Sequence, residues 1–120
     1  MPLVSKLLSP DARLQKCLVS DAAHITLGEH GDHVTRIQSA LLIVDNASVA
    51  SSELVSQTYG QSTANAVLAF KSKRSIINRT YQITADNIVG KMTIEALDRE
   101  VAGRERRGSA PVPSAIGSFT

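Results

Sequence analysis

His24, His30 and His33 fall within one short stretch, and three imidazoles so close in sequence are the first place to look for a metal. Helical zinc sites use a spacing such as His-Glu-x-x-His, which sets both rings on one face a turn apart. Here Gly31 and the start of a helix intervene, so the spacing predicts histidines around a turn. Glu29 and Asp32 invite comparison with the paired carboxylates of a glycosidase. That chemistry requires a cleft and a fixed separation across the sugar, and nothing in the spacing supplies either. Asp32 reads instead as a helix cap. Cys17 is the only cysteine, which excludes an internal disulfide. Its place on the apolar side of a short helix marks it as a buried structural thiol rather than a nucleophile. There is no Gly-x-Ser-x-Gly elbow and no phosphate-binding glycine loop in the sequence. The expectation is therefore a chain that is not an enzyme, with no metal and no cofactor.

Composition points the same way, toward one small binding module. At 120 residues and 42% hydrophobic content the chain has material for one modest core. Its net charge of +2 argues neither for a dedicated nucleic-acid binder nor for an acidic tail. No apolar run reaches the ~18 residues of a membrane span. The opening Met1-Pro2-Leu3-Val4-Ser5-Lys6-Leu7-Leu8 is too broken for a secretory leader, so the expected route is synthesis in the cytoplasm and, for any role outside, a leaderless export. Arg104, Arg106 and Arg107 flank Glu105 beside a Gly, Ser, Ala and Pro stretch and read as the solvated start of a linker.

Helices must position whatever binds. Ser9 as a cap, Pro10 at the first helical position and Asp11 in the first turn predict a short helix within 9–20, burying Leu14, Cys17 and Leu18. A second helix starts at Gly31-Asp32 and buries Val34, Ile37, Leu41 and Val44. A loop rich in Ser and Ala follows, with an extra turn at Ser51-Ser52-Glu53-Leu54-Val55. A third helix covers about 62–74, with Ala66, Val67 and Phe70 inward and Lys71, Lys73 and Arg74 toward its C-terminus. The last, over about 91–101, buries Ile94, Leu97 and Val101. Beyond Gly103 the periodicity ends.

One device occurs twice. Tyr59-Gly60-Gln61-Ser62-Thr63-Ala64-Asn65-Ala66-Val67 returns thirty residues later as Val89-Gly90-Lys91-Met92-Thr93-Ile94-Glu95-Ala96-Leu97, with hydrophobe, Gly, Thr, Ala and hydrophobe at the same offsets. A looser relative, Leu27-Gly28-Glu29-His30-Gly31, introduces the second helix. Together these segments resemble the peptidoglycan-binding-domain family, small helical modules attached to many cell-wall hydrolases. The resemblance rests on Gly28, Gly31, Val34, Ile37, Gln38 and Leu41, then Tyr59, Gly60, Thr63, Ala66, Val67 and Phe70, then Asp86, Val89, Gly90, Thr93 and Leu97, and covers about residues 25–100. It departs from the family at Phe70-Lys71, where Phe-Gln is usual, and at Asp86-Asn87, where Asp-Gly is usual. Extra residues stand at about 45–57 and 78–84.

The resemblance implies an all-α fold, a compact three-helix peptidoglycan-binding-domain-like bundle with an extra N-terminal helix. It divides the chain into an N-terminal extension (1–24), the domain (25–102) and a flexible linker or tail (103–120). It implies a monomeric tether that binds peptidoglycan and holds an attached catalytic, toxin or effector domain near the wall. A leaderless wall-binding chain is similar in this respect to phage endolysins and to type VI secretion effectors. With no Trp and only four Tyr and Phe in all, stacking on sugars is poorly supplied, so the peptide stem is the expected ligand. If the helices converge, the turns before them bring Tyr59, Gln61 and Thr63 near Asp86 and Asn87, and Lys71 stands ready for a stem carboxylate. Tyr59 as core, Thr63 as a cap and Lys71 as a solvated cation are the structural readings of those positions. The alternative function is a protein-docking or loading module of a secretion machine, with nucleic-acid binding behind it.

Overall fold

The computed structural model describes residues 2–20, 23–76 and 87–108. Five helices make up its regular structure: α1 (Ala12–Lys16), α2 (Asp32–Asp45), α3 (Ser51–Ser56), α4 (Gln61–Lys73) and α5 (Lys91–Gly108). Among the described residues there is no strand, only two isolated antiparallel bridges. The fold is all-α and compact. None of these helices is long and apolar enough to cross a membrane.

The three long helices bury the faces their periodicity assigns. Val34, Ile37 and Leu41 of α2, Val67 and Phe70 of α4, and Ile94, Leu97 and Val101 of α5 are all fully buried, with α2 packed against both α4 and α5. Hydrophobic burial at these i, i+3, i+4 positions is the main force holding the helices together. Leu3, Leu8, Leu14, Cys17 and Leu18 join the same core, so residues before 25 complete the domain rather than extend from it.

Several boundaries differ from expectation, each for a local reason. α1 is a single short helix capped by Asp11, whose carboxylate accepts from the Leu14 amide at 3.1 Å; Ser9 lies upstream, its amide bonded to the Ser5 carbonyl. Gly31, not Asp32, is the cap of α2, because the backbone there takes φ 130°, a region costly for any residue with a Cβ. Asp32 instead pairs with Arg36 a turn later, at 2.6 Å. The Ser51–Ser56 turn is a true helix, closed by Gln57 in the left-handed region.

The largest difference is at the end of α5, which continues past Gly103 to Gly108. A polar segment stays helical there because its side chains have partners. The Glu105 carboxylate accepts from the amides of Lys6 and Leu7 at 2.8 and 3.0 Å, and Arg104 donates to the Ile43 carbonyl at 3.2 Å. One heptad earlier the Asp98 carboxylate accepts from Val4 and Ser5 at 2.9 and 2.8 Å. Residues 4–7 thus form a strap across α5, held by two carboxylates through backbone amides, with Arg36 of α2 donating to the Leu7 carbonyl at 2.6 Å.

Candidate functional site

The turns that precede the helices meet at one end of the molecule. Ile25 and Val89 exchange two backbone hydrogen bonds, at 3.0 and 2.9 Å. On the other side of the same segment, the Gly28 amide donates to the Tyr59 carbonyl and the Tyr59 amide to the Glu29 carbonyl, both at 2.8 Å, and Gly31 donates to Gln57 at 3.0 Å. Residues 25–31 therefore lie between the turns of the two repeats and clasp both. Gly28, at φ 100°, permits the bend between the two pairings.

Side chains tighten this clasp. The Tyr59 ring is fully buried, and its hydroxyl donates to the Asn87 carbonyl, joining the first repeat to the second. Lys71 reaches from α4 to the Ile88 carbonyl at 2.8 Å and is only 6% exposed; its ammonium is engaged with the turn rather than solvated. Thr63 is buried at the third position of α4. Its hydroxyl accepts from Gln38 Nε2 at 3.0 Å and donates to the Glu53 carboxylate at 2.7 Å.

Glu53 itself, delivered by α3, caps α4 from a distance. Its Oε1 accepts from the amides of Gly60 and Thr63 at 3.1 and 2.9 Å and its Oε2 from the amide of Ser62 at 3.0 Å. These donors are the unsatisfied amides of a helix start, where the helix dipole also favours an anion. Burial alone would raise the Glu53 pKa, but the hydrogen bonds from Thr63 and Ser62 outweigh it and bring the carboxyl down to about 2. A Cβ on Gly60 would lie 2.5 Å from the Glu53 carboxyl carbon, so a larger residue here would push the carboxylate off its donors.

Of the six residues singled out from the sequence, Tyr59, Thr63 and Lys71 hold the clasp together. Gln61 is exposed, with its amide donating to Asn65 Oδ1 at 2.9 Å, and Asn87 is half-buried at the second turn. Asp86 lies outside the described residues. The exposed rim also carries Leu27, His30, Lys91 and Met92. Glu53 was missed because it belongs to an inserted loop; the signal available was an acid shortly before a Gly-x-x-Thr helix start. Gln38 was visible as a motif position, but its bonds to the Thr58 carbonyl and the Thr63 hydroxyl depend on tertiary placement.

The histidines and acids noted first have other tasks. Glu29 bridges Arg13 at 3.0 Å and His33 at 3.3 Å, and His24 packs over Gly90. Among the described residues no three His, Cys, Asp or Glu side chains gather as a metal would need. Cys17 is buried, and that burial pushes its thiol up to about 11. Compared with protein-family models, curated proteins and solved structures, the chain matches none.

Proposed function

We infer that the chain is a non-catalytic peptidoglycan-binding module, a three-helix bundle of the peptidoglycan-binding-domain type, which tethers a wall-active or effector domain. The observation that carries this reading is the clasp: every turn of the repeated motif is bonded to a neighbouring turn at one end of the bundle. The motif positions Tyr59 and Thr63 act as its scaffold. A rim of mixed polar and apolar side chains on bonded turns suits recognition of a peptide stem, because turns already held together lose little order on binding. Within the proposal Gln61 and Asn87 make the contacts, while Tyr59, Thr63 and Lys71 hold the turns in place; Asp86, the sixth candidate, lies outside the described residues. Polar contacts at an exposed rim offset much of their gain by desolvation, so a dissociation constant in roughly the micromolar to millimolar range is expected. Avidity along a polymer makes that sufficient.

The test is retention on purified sacculi, intact and stem-stripped. The parent should be held by intact wall and released from stripped wall. The double variant Gln61→Ala, Asn87→Ala should lose retention with its melting temperature nearly unchanged. Equal retention of the double variant would put the site elsewhere, and no retention of the parent would favour the protein-docking reading.

A further inference from the structure

A groove of about 330 Å³ lies between α5 and the amino-terminal segment that crosses it. Buried Leu3, Leu18 and Ala102 line it, with exposed Pro2 and Val4 beside them. Ala102 leaves the space open on the α5 side, because its neighbours a turn away on the same face are long: Arg99 before it and Arg106 after it. The donors around the groove are unevenly matched. Pro2 has no N–H to offer, and the amides of Leu3, Val4, Ser5, Lys6 and Leu7 are taken by Gln15, Asp98 and Glu105. Those bonds occupy both oxygens of Asp98, the carboxylate nearest the strap. Arg99 and Arg106, by contrast, are exposed and hold no acceptor among the described residues, whereas Arg13, Arg36, Arg74 and Arg104 each hold one. Half-buried Glu95 stands four residues before Arg99, yet the two are not paired.

We propose that this groove binds a small aliphatic carboxylate, its chain against Leu3, Leu18 and Ala102 and its head between the Arg99 and Arg106 guanidinia. The two arginines lie about 10 Å apart along the helix axis, and flexible stems let both reach an oxyanion over Ala102 between them. Guanidinium forks match a carboxylate well. Glu95 lies a further turn toward the helix start, so the head sits on the side nearer Arg106. An aliphatic chain suits the rest of the groove better than a peptide does, because the strap amides and the Asp98 oxygens are already engaged and would leave a peptide's own amides unmet. Strap bonds that exist before binding keep the ordering cost low. The groove shares no residue with the rim of turns, so it stands apart from wall binding.

The probe is octanoate, titrated into the isotopically labelled full chain and compared with octanamide and acetate. Octanoate should shift the amide resonances of residues 3–5 and 99–106 saturably, with a dissociation constant of roughly millimolar order. Octanamide, which lacks the charge, and acetate, which lacks the chain, should each bind about tenfold more weakly. Arg106→Gln should weaken octanoate by about three- to tenfold and Arg99→Gln by less, while Glu95→Gln should tighten it about twofold. All three are substitutions of side chains outside the buried core, so the fold should be kept. Ala102→Leu, which fills the groove, should abolish the shifts. Equal response to octanoate and octanamide would overturn the proposal, as would acetate matching octanoate or no saturable shift at tens of millimolar. Tighter binding of N-acetyl-alanyl-leucine than of octanoate would assign the groove to peptide ends and overturn the aliphatic ligand. In the chain without ligand, a nuclear Overhauser contact from the Ala102 methyl to Met1 or to residues 109–120 would mean that the chain fills its own groove, and that too would overturn it.

Discussion

The Glu53 carboxylate accepts both the amide and the hydroxyl of Thr63, at 2.9 and 2.7 Å, and so closes a helix start that its own flanking residues leave open. Gly60, the cap residue, has no side chain to offer. An inserted helix therefore does the work that a Ser or Asp cap does elsewhere. Glu53→Gln should cost about 1–2 kcal/mol at neutral pH in urea denaturation. The folded carboxyl titrates near 2 against a reference of 4.5. Its contribution is therefore whole above pH ~4.5 and is lost as pH falls toward 2. The stability gap between parent and variant should shrink over that window; a gap that stays constant to pH 2 would show that the carboxylate charge plays no part.

Phe70 is fully buried where α4 meets the core. Phe70→Ala should cost roughly 3–5 kcal/mol by lost burial and a residual cavity. A loss below about 1 kcal/mol in chemical denaturation would mean that the face is loosely packed.

Arg74 joins three helices at the opposite end of α4. It contacts Glu100 through two nitrogens and Asp45 at 2.9 Å, and stacks 3.9 Å above the Phe70 ring. Hydrogen bonds to Glu100 hold its guanidinium even more firmly protonated than usual. Arg74→Lys keeps the charge but loses the planar fork, so a loss of about 1–2 kcal/mol is expected despite the conservative exchange. Full stability in the lysine variant would reduce the contact to simple charge attraction.

Cys17 should resist thiol reagents in the folded chain. A buried thiol raised to about 11 has little thiolate at pH 8, and the thiolate is the reacting form. Reaction should follow unfolding and accelerate in denaturant; stoichiometric labelling within seconds under native conditions would contradict the burial.

A chain ending at residue 102, the boundary suggested by periodicity, removes Glu105 and its bonds to Lys6 and Leu7. Its melting temperature should fall by several degrees relative to a chain ending at 108. Equal melting temperatures would show that Asp98 and Arg36 hold the strap without Glu105.

The sequence was most legible where one residue type decides one local matter. Val34, Ile37, Val67, Phe70, Ile94 and Leu97 repeat at helical spacing, and all are buried. The meeting of the turns followed from the repeat, because similar turn-helix units that pack side by side bring their turns to a common end. What was not legible depended on partners distant in sequence. Lys71 reads as a surface cation until Ile88 is seen to receive it. Helix beyond Gly103 was hidden because its support comes from residues 6 and 7, not from its own periodicity. Asp32 was misassigned as a cap because an acid and a glycine compete for that role, and only the backbone angle decides between them.

The strap across α5 also orders events during synthesis. Val4 and Ser5 bond to Asp98, and Lys6 and Leu7 to Glu105, so residues 4–7 wait for partners that lie 93 to 99 residues later in the chain. At about 5–20 residues per second that interval is on the order of 5–20 s, during which Leu3 and Leu8 lack the α5 part of the core they join. Contacts of such long sequence separation are slow to close. Residues 4–7 thus leave the ribosome well before α5 does and are secured only once α5 has formed.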